Sequence, residues 1–316
     1  MKAFRPILIS LVPALLLLTS CIEFDRQTLT YHHDEDLDVL RIFQQYEGIN
    51  GSDQEDGISN REKTQLQSLY QHQRTFFFAN WIWEYNENDT REMVSAPFSK
   101  AKEEGPPTPQ ELASHRAVQA FAQQLLNHVR VENGAFYRNN AGELCAYQRV
   151  KVNRVSGVLG AANLAIRQQI LSDHVPDNIS PASRRKLQRA AEENHAFIQL
   201  NGNELRFHWP MAPIDFARMK KQWGQRIESA LPSDDPAGKD GELAWVKSLM
   251  EQDVWISYLD ETLVVAAGYP SNTQTRVHLD LNKSYRDNIG AHVEGNFGVE
   301  QDLNLGKIRQ DFLLGL

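Results

Sequence analysis

One histidine and one aspartate stand two positions apart in an alternating, strand-like stretch, and they are the strongest candidates for catalysis in the chain. These residues are His278 and Asp280. Because side chains at positions i and i+2 of a β-strand point to the same face, the imidazole and the carboxylate could act together as general acid and base. A plain surface contact is the alternative. The sequence contains no G-x-S-x-G and no H-E-x-x-H motif that would add a nucleophile or a zinc centre.

A second polar group that could do chemistry is the run His32-His33-Asp34-Glu35-Asp36. Zinc needs three or four converging ligands, whereas adjacent histidines on a strand point to opposite faces. The aspartates at alternate positions from 34 to 38 also resemble the start of a calcium loop. However, Val39 and Gln45 stand where that loop needs Gly and Glu. We therefore predict a solvated acidic hairpin loop, with no metal and no cofactor.

Cys145 is the only cysteine beyond position 21 and lies in the apolar pattern Leu144-Cys145-Ala146-Tyr147. An unpaired cysteine can be a nucleophile or can form an intermolecular bridge. A thiol on a buried strand is instead desolvated and stays protonated. We predict that Cys145 is buried and inert.

The other cysteine, Cys21, follows a basic start with Lys2 and Arg5, an apolar run over 7–18, and the small residues Thr19 and Ser20. This order is typical of a secretory signal peptide. A helix over 7–18 would rise only about 18 Å, which is short of a bilayer core of about 30 Å. The segment Leu18-Thr19-Ser20-Cys21 resembles the lipobox of bacterial lipoproteins. That resemblance implies removal of residues 1–20, acylation of Cys21 and a membrane anchor at the new N-terminus.

The net charge limits the partners that this chain can be expected to bind. Without Lys2 and Arg5 the chain has 31 basic and 41 acidic residues, a formal charge of −10. This sign repels phosphate backbones, so we expect no nucleic-acid partner.

Ile22, in place of Asp, is similar to the second mature residue of lipoproteins sorted to an outer membrane. We expect a folded protein that is lipid-anchored in the cell envelope and faces the periplasm or the cell surface.

Hydrophobic periodicity predicts the elements that must position these groups. The Pro-rich stretch 99–108 reads as a linker, and Thr108 with Glu111 forms a capping box that starts a helix. Asn201-Gly202 predicts a two-residue hairpin turn. Gly157 and Gly160 do not form a dinucleotide loop, and close helix packing is expected there. The predicted hairpins are 22–31 with 37–46, 134–138 with 144–152, 196–200 with 204–209, and 254–258 with 263–267; further strands are 75–83 and 275–281; the helices are 61–72, 109–130, 156–171, one from 181, one from 213 to 215 onwards, and 242–250.

This order of elements predicts an α+β fold, in which an antiparallel sheet built from hairpins carries helices on one face. A degenerate repeat of helix and hairpin is an alternative organisation, because the hairpins recur at a regular spacing. The predicted organisation is a signal peptide at 1–20, an N-terminal region at 21–98, the linker, and an α+β region at 109–316. The two regions flanking the linker could also form one domain.

Two functional hypotheses follow. The first is a membrane-anchored envelope lipoprotein with a non-enzymatic binding or structural role, whose partners are the membrane, through Cys21, and an envelope protein. The second is a periplasmic hydrolase that uses His278 and Asp280. A third polar group converging on His278 would favour the hydrolase.

Overall fold

The computed structural model describes residues 22, 24–51, 58–71, 75, 85–98, 106–175, 178–229, 253–270, 274–280, 289–301 and 303–316. Several predicted features therefore lie outside the described residues. These are the leader 1–20, Cys21, all but the first residue of the strand 75–83, the linker up to residue 105, and the helix 242–250.

The strands in the described residues form two antiparallel sheets. The first sheet has the order β3-β4-β2-β1-β9, and the second has the order β5-β6-β8-β7. Neighbours in sequence pair as hairpins in both sheets, which confirms the α+β class. The predicted strands are divided between two sheets and do not form one connected sheet. The strands are β1 (Arg26–Asp34), β2 (Val39–Glu47), β3 (Val129–Arg138), β4 (Leu144–Asn153), β5 (Ile198–Asn201), β6 (Glu204–Pro210), β7 (Val254–Leu259), β8 (Thr262–Ala267) and β9 (Thr275–Asp280).

The helices begin at the capping residues that the sequence offers. Thr108 and Glu111 form the expected reciprocal capping box, and Ser59 and Glu62 form another at the first helix. Each box satisfies two backbone amides that the helix itself leaves unpaired. The helices are α1 (Asn60–Gln71), α2 (Glu87–Ser95), α3 (Pro109–His128), α4 (Val155–Leu171), α5 (Pro181–Glu192), α6 (Pro213–Ser229), α7 (Gly290–Asn296) and α8 (Leu305–Leu314). Within the described ranges, no helix has both the length and the hydropathy needed to cross a membrane.

β1 lies inside the first sheet, between β2 and β9. It starts at Arg26, later than predicted, because Ile22 and Phe24 leave the strand and pack into the core. Both side chains are buried, in one cluster with Leu66 of α1 and Val293 of α7. The folded body therefore includes the residue directly after Cys21.

Helix α4 connects the two sheets. Its first turn contributes Val155 and Val158 to a cluster with Val150 of the first sheet. Farther along, Ile166 packs with α5 and with Phe197, which precedes the second sheet. A single helix thus supplies apolar surface to both cores, and burial of that surface holds the sheets together.

The opposite face of the first sheet is covered by α8. Phe43 and Tyr147 stack there with ring centroids 5.1 Å apart, and Leu313 and Phe312 of α8 pack in the same cluster, together with Cys145. Helices therefore lie on both faces of this sheet.

Strands from both sides of the predicted linker share the first sheet. Helices α2 and α3, which precede and follow the linker, are also joined directly. The side-chain amide of Gln119 donates to the carbonyls of Val94 at 2.9 Å and Ala96 at 3.0 Å.

Two local expectations need correction. The hairpin at Asn201-Gly202 forms, but Asn201 pairs with Glu204, so Gly202 and Asn203 are the central turn residues. Gly202 has φ +55°, as the first central residue of a type II′ turn requires. The packing expected for Gly157 and Gly160 is wrong, since a Cβ atom at either position would meet nothing within 4 Å among the described atoms.

Candidate functional site

A polar cleft of about 380 Å³ lies where the loop between β1 and β2 meets α4 and the β5–β6 turn. Its position follows from the register, because His33 at the end of β1 also contacts the β5–β6 turn. The lining residues are His33, Glu35, Asp38, Ser156, Leu200, Asn201 and Gly202. We refer to this feature as the distal cleft.

Asp38 forms one wall of the distal cleft and caps α4 from a distant part of the chain. Its carboxylate accepts hydrogen bonds from the amide of Ser156 at 2.9 Å and from the Ser156 hydroxyl at 2.6 Å. Its carbonyl accepts a bond from the amide of Val155. Arg154 occupies the N-cap position with φ +50° and has no side-chain cap bond of its own. The carboxylate therefore replaces the missing cap and lies at the positive end of the helix dipole.

His33 forms the opposite wall with the β5–β6 turn. Its backbone amide donates to Asn203 Oδ1 at 2.7 Å, and its ring Nδ1 lies 3.0 Å from the carbonyl of Gly202. Because a carbonyl only accepts, Nδ1 carries the ring proton in this contact. Nε2 is buried without a hydrogen-bond partner among the described residues.

The β5–β6 turn is also held by hydrogen bonds from the side chains of Tyr31 and Thr275. The hydroxyl of Tyr31 lies 3.0 Å from the Asn203 carbonyl and 2.8 Å from the Ala267 carbonyl, and the Thr275 hydroxyl donates to Asn203 at 3.0 Å. Burial raises the pKa of Tyr31 to about 12, so the phenol remains a donor. These bonds tie the second sheet to β1 and β9.

The hydrogen bonds of Ser156 at the distal cleft are those of a helix cap. Its hydroxyl donates to Asp38 and not to an imidazole, and the same carboxylate accepts the Ser156 backbone amide. Asp38 in this cleft and Arg154, the N-cap residue of α4, have positive φ values of 53° and 50°. Such strained backbone is often found at functional sites.

The hairpin loop predicted at 32–36 is wrong in its bounds, because His32, His33 and Asp34 extend β1 and the turn occupies 35–38. His32 pairs with Arg41 and His33 with Leu40, so the two imidazoles leave opposite faces of the sheet and only His33 reaches the distal cleft. The Asp34 carboxylate accepts bonds from the Leu37 amide and from Arg41. In the described part of the chain, no three His, Cys, Asp or Glu side chains are grouped to hold a metal.

His278 and Asp280 lie on β9, opposite Thr28 and Arg26 of β1. They are thus near the start of β1, whereas the distal cleft is at its other end. Their side chains lie outside the part of the molecule that the structure describes, so the third polar partner of His278 stays a prediction.

Cys145 is fully buried beneath α8, which confirms its predicted burial. Its Sγ lies 3.3 Å from the carbonyl of Glu143. Burial raises the pKa of the thiol to about 11, and the neutral thiol is a poor nucleophile.

The distal cleft was not predicted, because its walls come from three segments that are far apart in the sequence. The acidic run around His33 and the Asn-Gly pair were local signals for two of these segments, but neither signal indicated that the segments meet. No family model matches this chain, and no curated protein or solved structure matches it either.

Proposed function

We propose that this chain is a lipid-anchored envelope protein that binds a partner without catalysing a reaction. Cys21 is the acylated residue, and Ile22 in the position after it directs the protein to an outer membrane. The observation that carries the proposal is the burial of Ile22, which is 0% exposed. It supports a body held directly at the lipid surface.

The tether is short because the core begins immediately. Ile22 and Phe24 pack among apolar side chains of α1 and α7, and one extended residue spans only about 3.5 Å. An acyl chain on Cys21 would therefore keep Ile22 within several ångströms of the headgroups, and the start of β1 at Arg26 within about 17 Å of them. Two or three acyl chains hold firmly, at about 0.8 kcal/mol per buried methylene.

The strand register supports one orientation of the protein relative to the lipid. Arg26 pairs with Glu47, and Tyr46 pairs with Ala146, so the β3–β4 turn lies at the same end of the sheet as the tether. The distal cleft lies beyond His33, seven residues along β1 from Arg26, or about 23 Å at the rise of a strand. This arrangement presents the cleft to a partner in the aqueous compartment.

The chemistry of the distal cleft supports a protein partner. Leu37, at the tip of the β1–β2 loop, is 64% exposed, and the carboxylate of Glu35 and the side chain of Asn201 are also exposed. Leu37 stands between Asp36 and the cleft residue Asp38 in the sequence, and this mixture of apolar and polar side chains supports a protein contact. The negative formal charge, −8 for the whole chain, argues against nucleic acid.

Membrane fractionation tests the anchor. Cys21→Ser should move the protein from the membrane to the soluble fraction with an unchanged circular dichroism spectrum. The matched control keeps Cys21 and has a long Gly/Ser spacer inserted after it. This variant should stay in the membrane fraction but lose binding to its partner. A Cys21→Ser protein that remains membrane-bound after a high-salt wash would refute the anchor.

Site-specific photocrosslinking tests the orientation. A photoreactive residue at Leu37 should crosslink to an envelope protein, and one at Asn140, on the β3–β4 turn, should crosslink to lipid. The reverse pattern would refute the orientation even if Cys21 is acylated.

A further inference from the structure

Two imidazole rings meet where α5 ends and the second sheet begins. His195 and His208 have ring centroids 5.9 Å apart, with the planes at 66°. The backbone amide of His195 donates to the carbonyl of Ala190 at 2.9 Å and so closes α5, after Asn194 has turned the chain with φ +59°. This bond from the second residue past the C-cap Glu193 is the Schellman arrangement. We refer to the two rings as the histidine pair.

The backbone beside the pair forms the last rung between β5 and β6. The amide of His208 donates to the carbonyl of Phe197 at 2.8 Å, directly before β5 begins. Within the described residues β5 pairs only with β6, and it has four residues. On its other side, the side chain of Asn163 in α4 donates to the carbonyl of Ile198 and accepts from its amide. The short ladder with β6 therefore fixes the rest of this strand, and the histidine pair lies at one end of that ladder.

Neither ring has a hydrogen-bond acceptor, among the described residues, for the second proton of an imidazolium. Nε2 of His195 and Nε2 of His208 are both buried without a hydrogen-bond partner among the described residues. An imidazolium has a proton on both ring nitrogens, so each protonated ring would bury a charged donor that has no acceptor. Such a group is costly in a folded protein.

The charged groups around the pair do not remove this cost. Burial lowers the pKa of both histidines; for His208, His195 and Arg206 lower it further. Glu193 and Glu204 act in the opposite direction, but the Glu204 carboxylate is already paired with Arg206 at 2.7 Å. From α4, Arg167 binds Asn194 beside His195. The neighbours of His208 on β8 and β7 are Val264 and Ser257, which are uncharged.

We propose that the histidine pair is an acid-sensitive device that releases β5 from β6 when the rings take up protons. In neutral solution both rings are uncharged and pack together. In acid two adjacent imidazolium ions and Arg206 repel one another, and the segment 195–201 separates from β6. Each ring gains one proton from solvent, and no bond other than N–H is formed.

Separation of β5 from β6 would also displace residues that line the distal cleft. Leu200, Asn201 and Gly202 at the far end of this hairpin line the cleft, and the same turn binds His33 and Tyr31. Loss of the β5 ladder removes the support behind these residues. The inference thus adds control by pH to the cleft and does not depend on acylation of Cys21.

Amide hydrogen exchange on the full chain tests the device. After correction for the intrinsic pH dependence, the amide of His208 and those of β5 should exchange at least about tenfold faster near pH 4 than near pH 8, because burial lowers the pKa of both rings below the ordinary value of 6.5. The amides of β2 should show no such change. The double variant His195→Gln/His208→Gln keeps neutral polar side chains and should exchange at the same corrected rate at both pH values.

Two further variants keep the test decisive. His174→Gln alters an exposed histidine and should retain the wild-type response. His195→Gln alone removes the repulsion within the pair and should reduce the response, which provides a result if the double variant does not fold. The proposal is overturned if wild-type β5 shows no acid response, or if the His195→Gln protein responds as strongly as the wild type.

Discussion

The carboxylate of Asp38 accepts hydrogen bonds from both the backbone amide and the hydroxyl of Ser156, at 2.9 and 2.6 Å. The two residues are 118 positions apart, so a loop of the first sheet caps the helix that joins the sheets. Capping is normally provided by the residue directly before the helix. Here Arg154 occupies that position in the left-handed conformation.

Asp38→Ala should destabilise the protein by about 1–2 kcal/mol, the usual value of an N-cap side chain. The Ser156 amide would lose its acceptor and α4 would lose a negative charge at its start. Urea unfolding measures the difference. The control is Asp36→Ala, two positions away on the exposed part of the same loop, which should change stability by less than about 0.5 kcal/mol. Equal losses in both variants would contradict the capping role.

Gly157→Ala and Gly160→Ala should each stabilise the protein by up to about 1 kcal/mol, because alanine is the better helix former. Both glycines lie in α4, and the added methyl groups meet no described atom within 4 Å. Thermal unfolding should show raised midpoints.

Gly202→Ala provides the contrast to these helix variants. Its φ is +55°, and an added Cβ would clash with the carbonyl oxygen of Pro270. We expect it to destabilise. If all three variants behaved alike, the assignment of space around these glycines would be wrong.

Cys145 should resist thiol reagents in the folded Cys21→Ser protein, where it is the remaining cysteine. With a pKa raised by burial to about 11, only about one thiol in a thousand is ionised near pH 8. Absorbance assays with a chromogenic disulfide should show rapid labelling only after denaturant is added. A cysteine introduced at the exposed Asn140 should react at once, and comparable rates at the two positions would restore Cys145 as a functional candidate.

Asp215 should contribute stability that is lost in strong acid. Burial acts to raise the pKa of its carboxyl, but hydrogen bonds from Ser180 and Ser183 and the charge of Arg218 outweigh it and lower the pKa below 3.8. A lowered folded-state pKa gives stability that is complete above the unfolded value and disappears as the pH falls through the folded one.

Asp215→Asn should therefore cost about 1.5–3 kcal/mol near neutrality, the value of hydrogen bonds to a charged group, and less below about pH 4. Urea unfolding across this range gives both numbers. Asp173→Asn removes an ion pair with Arg184 in which the aspartate is 66% exposed, and it should cost at most about 1 kcal/mol at any pH. A deficit for Asp215→Asn that does not change with pH would rule out a titrating carboxylate.

Local signals allowed much of the fold to be predicted. The capping box at Thr108 and Glu111 involves residues three positions apart, and the hairpin after Asn201 pairs residues that are almost adjacent. Such contacts depend on residues that are close together in the sequence. Hydrophobic periodicity and turn chemistry therefore identify them.

The distal cleft could not be predicted in this way. Ser156 was placed correctly near the start of a helix, but no pattern around it indicates that Asp38 provides the cap. The glycines of α4 show the reverse error, since glycine in a helix suggested close packing where the structure leaves space. Both differences arise because tertiary neighbours, and not nearby residues, determine what surrounds these positions.

The position of β1 has a consequence for the order of folding. Thr28 pairs with His278, about 250 residues later, and loop closure over such a separation is slow. During synthesis one edge of β1 would stay unpaired until residues 275–280 have been made. An unpaired strand edge with apolar residues on either side invites aggregation, so the emerging chain would depend on a holding chaperone or on rapid completion of its last strand.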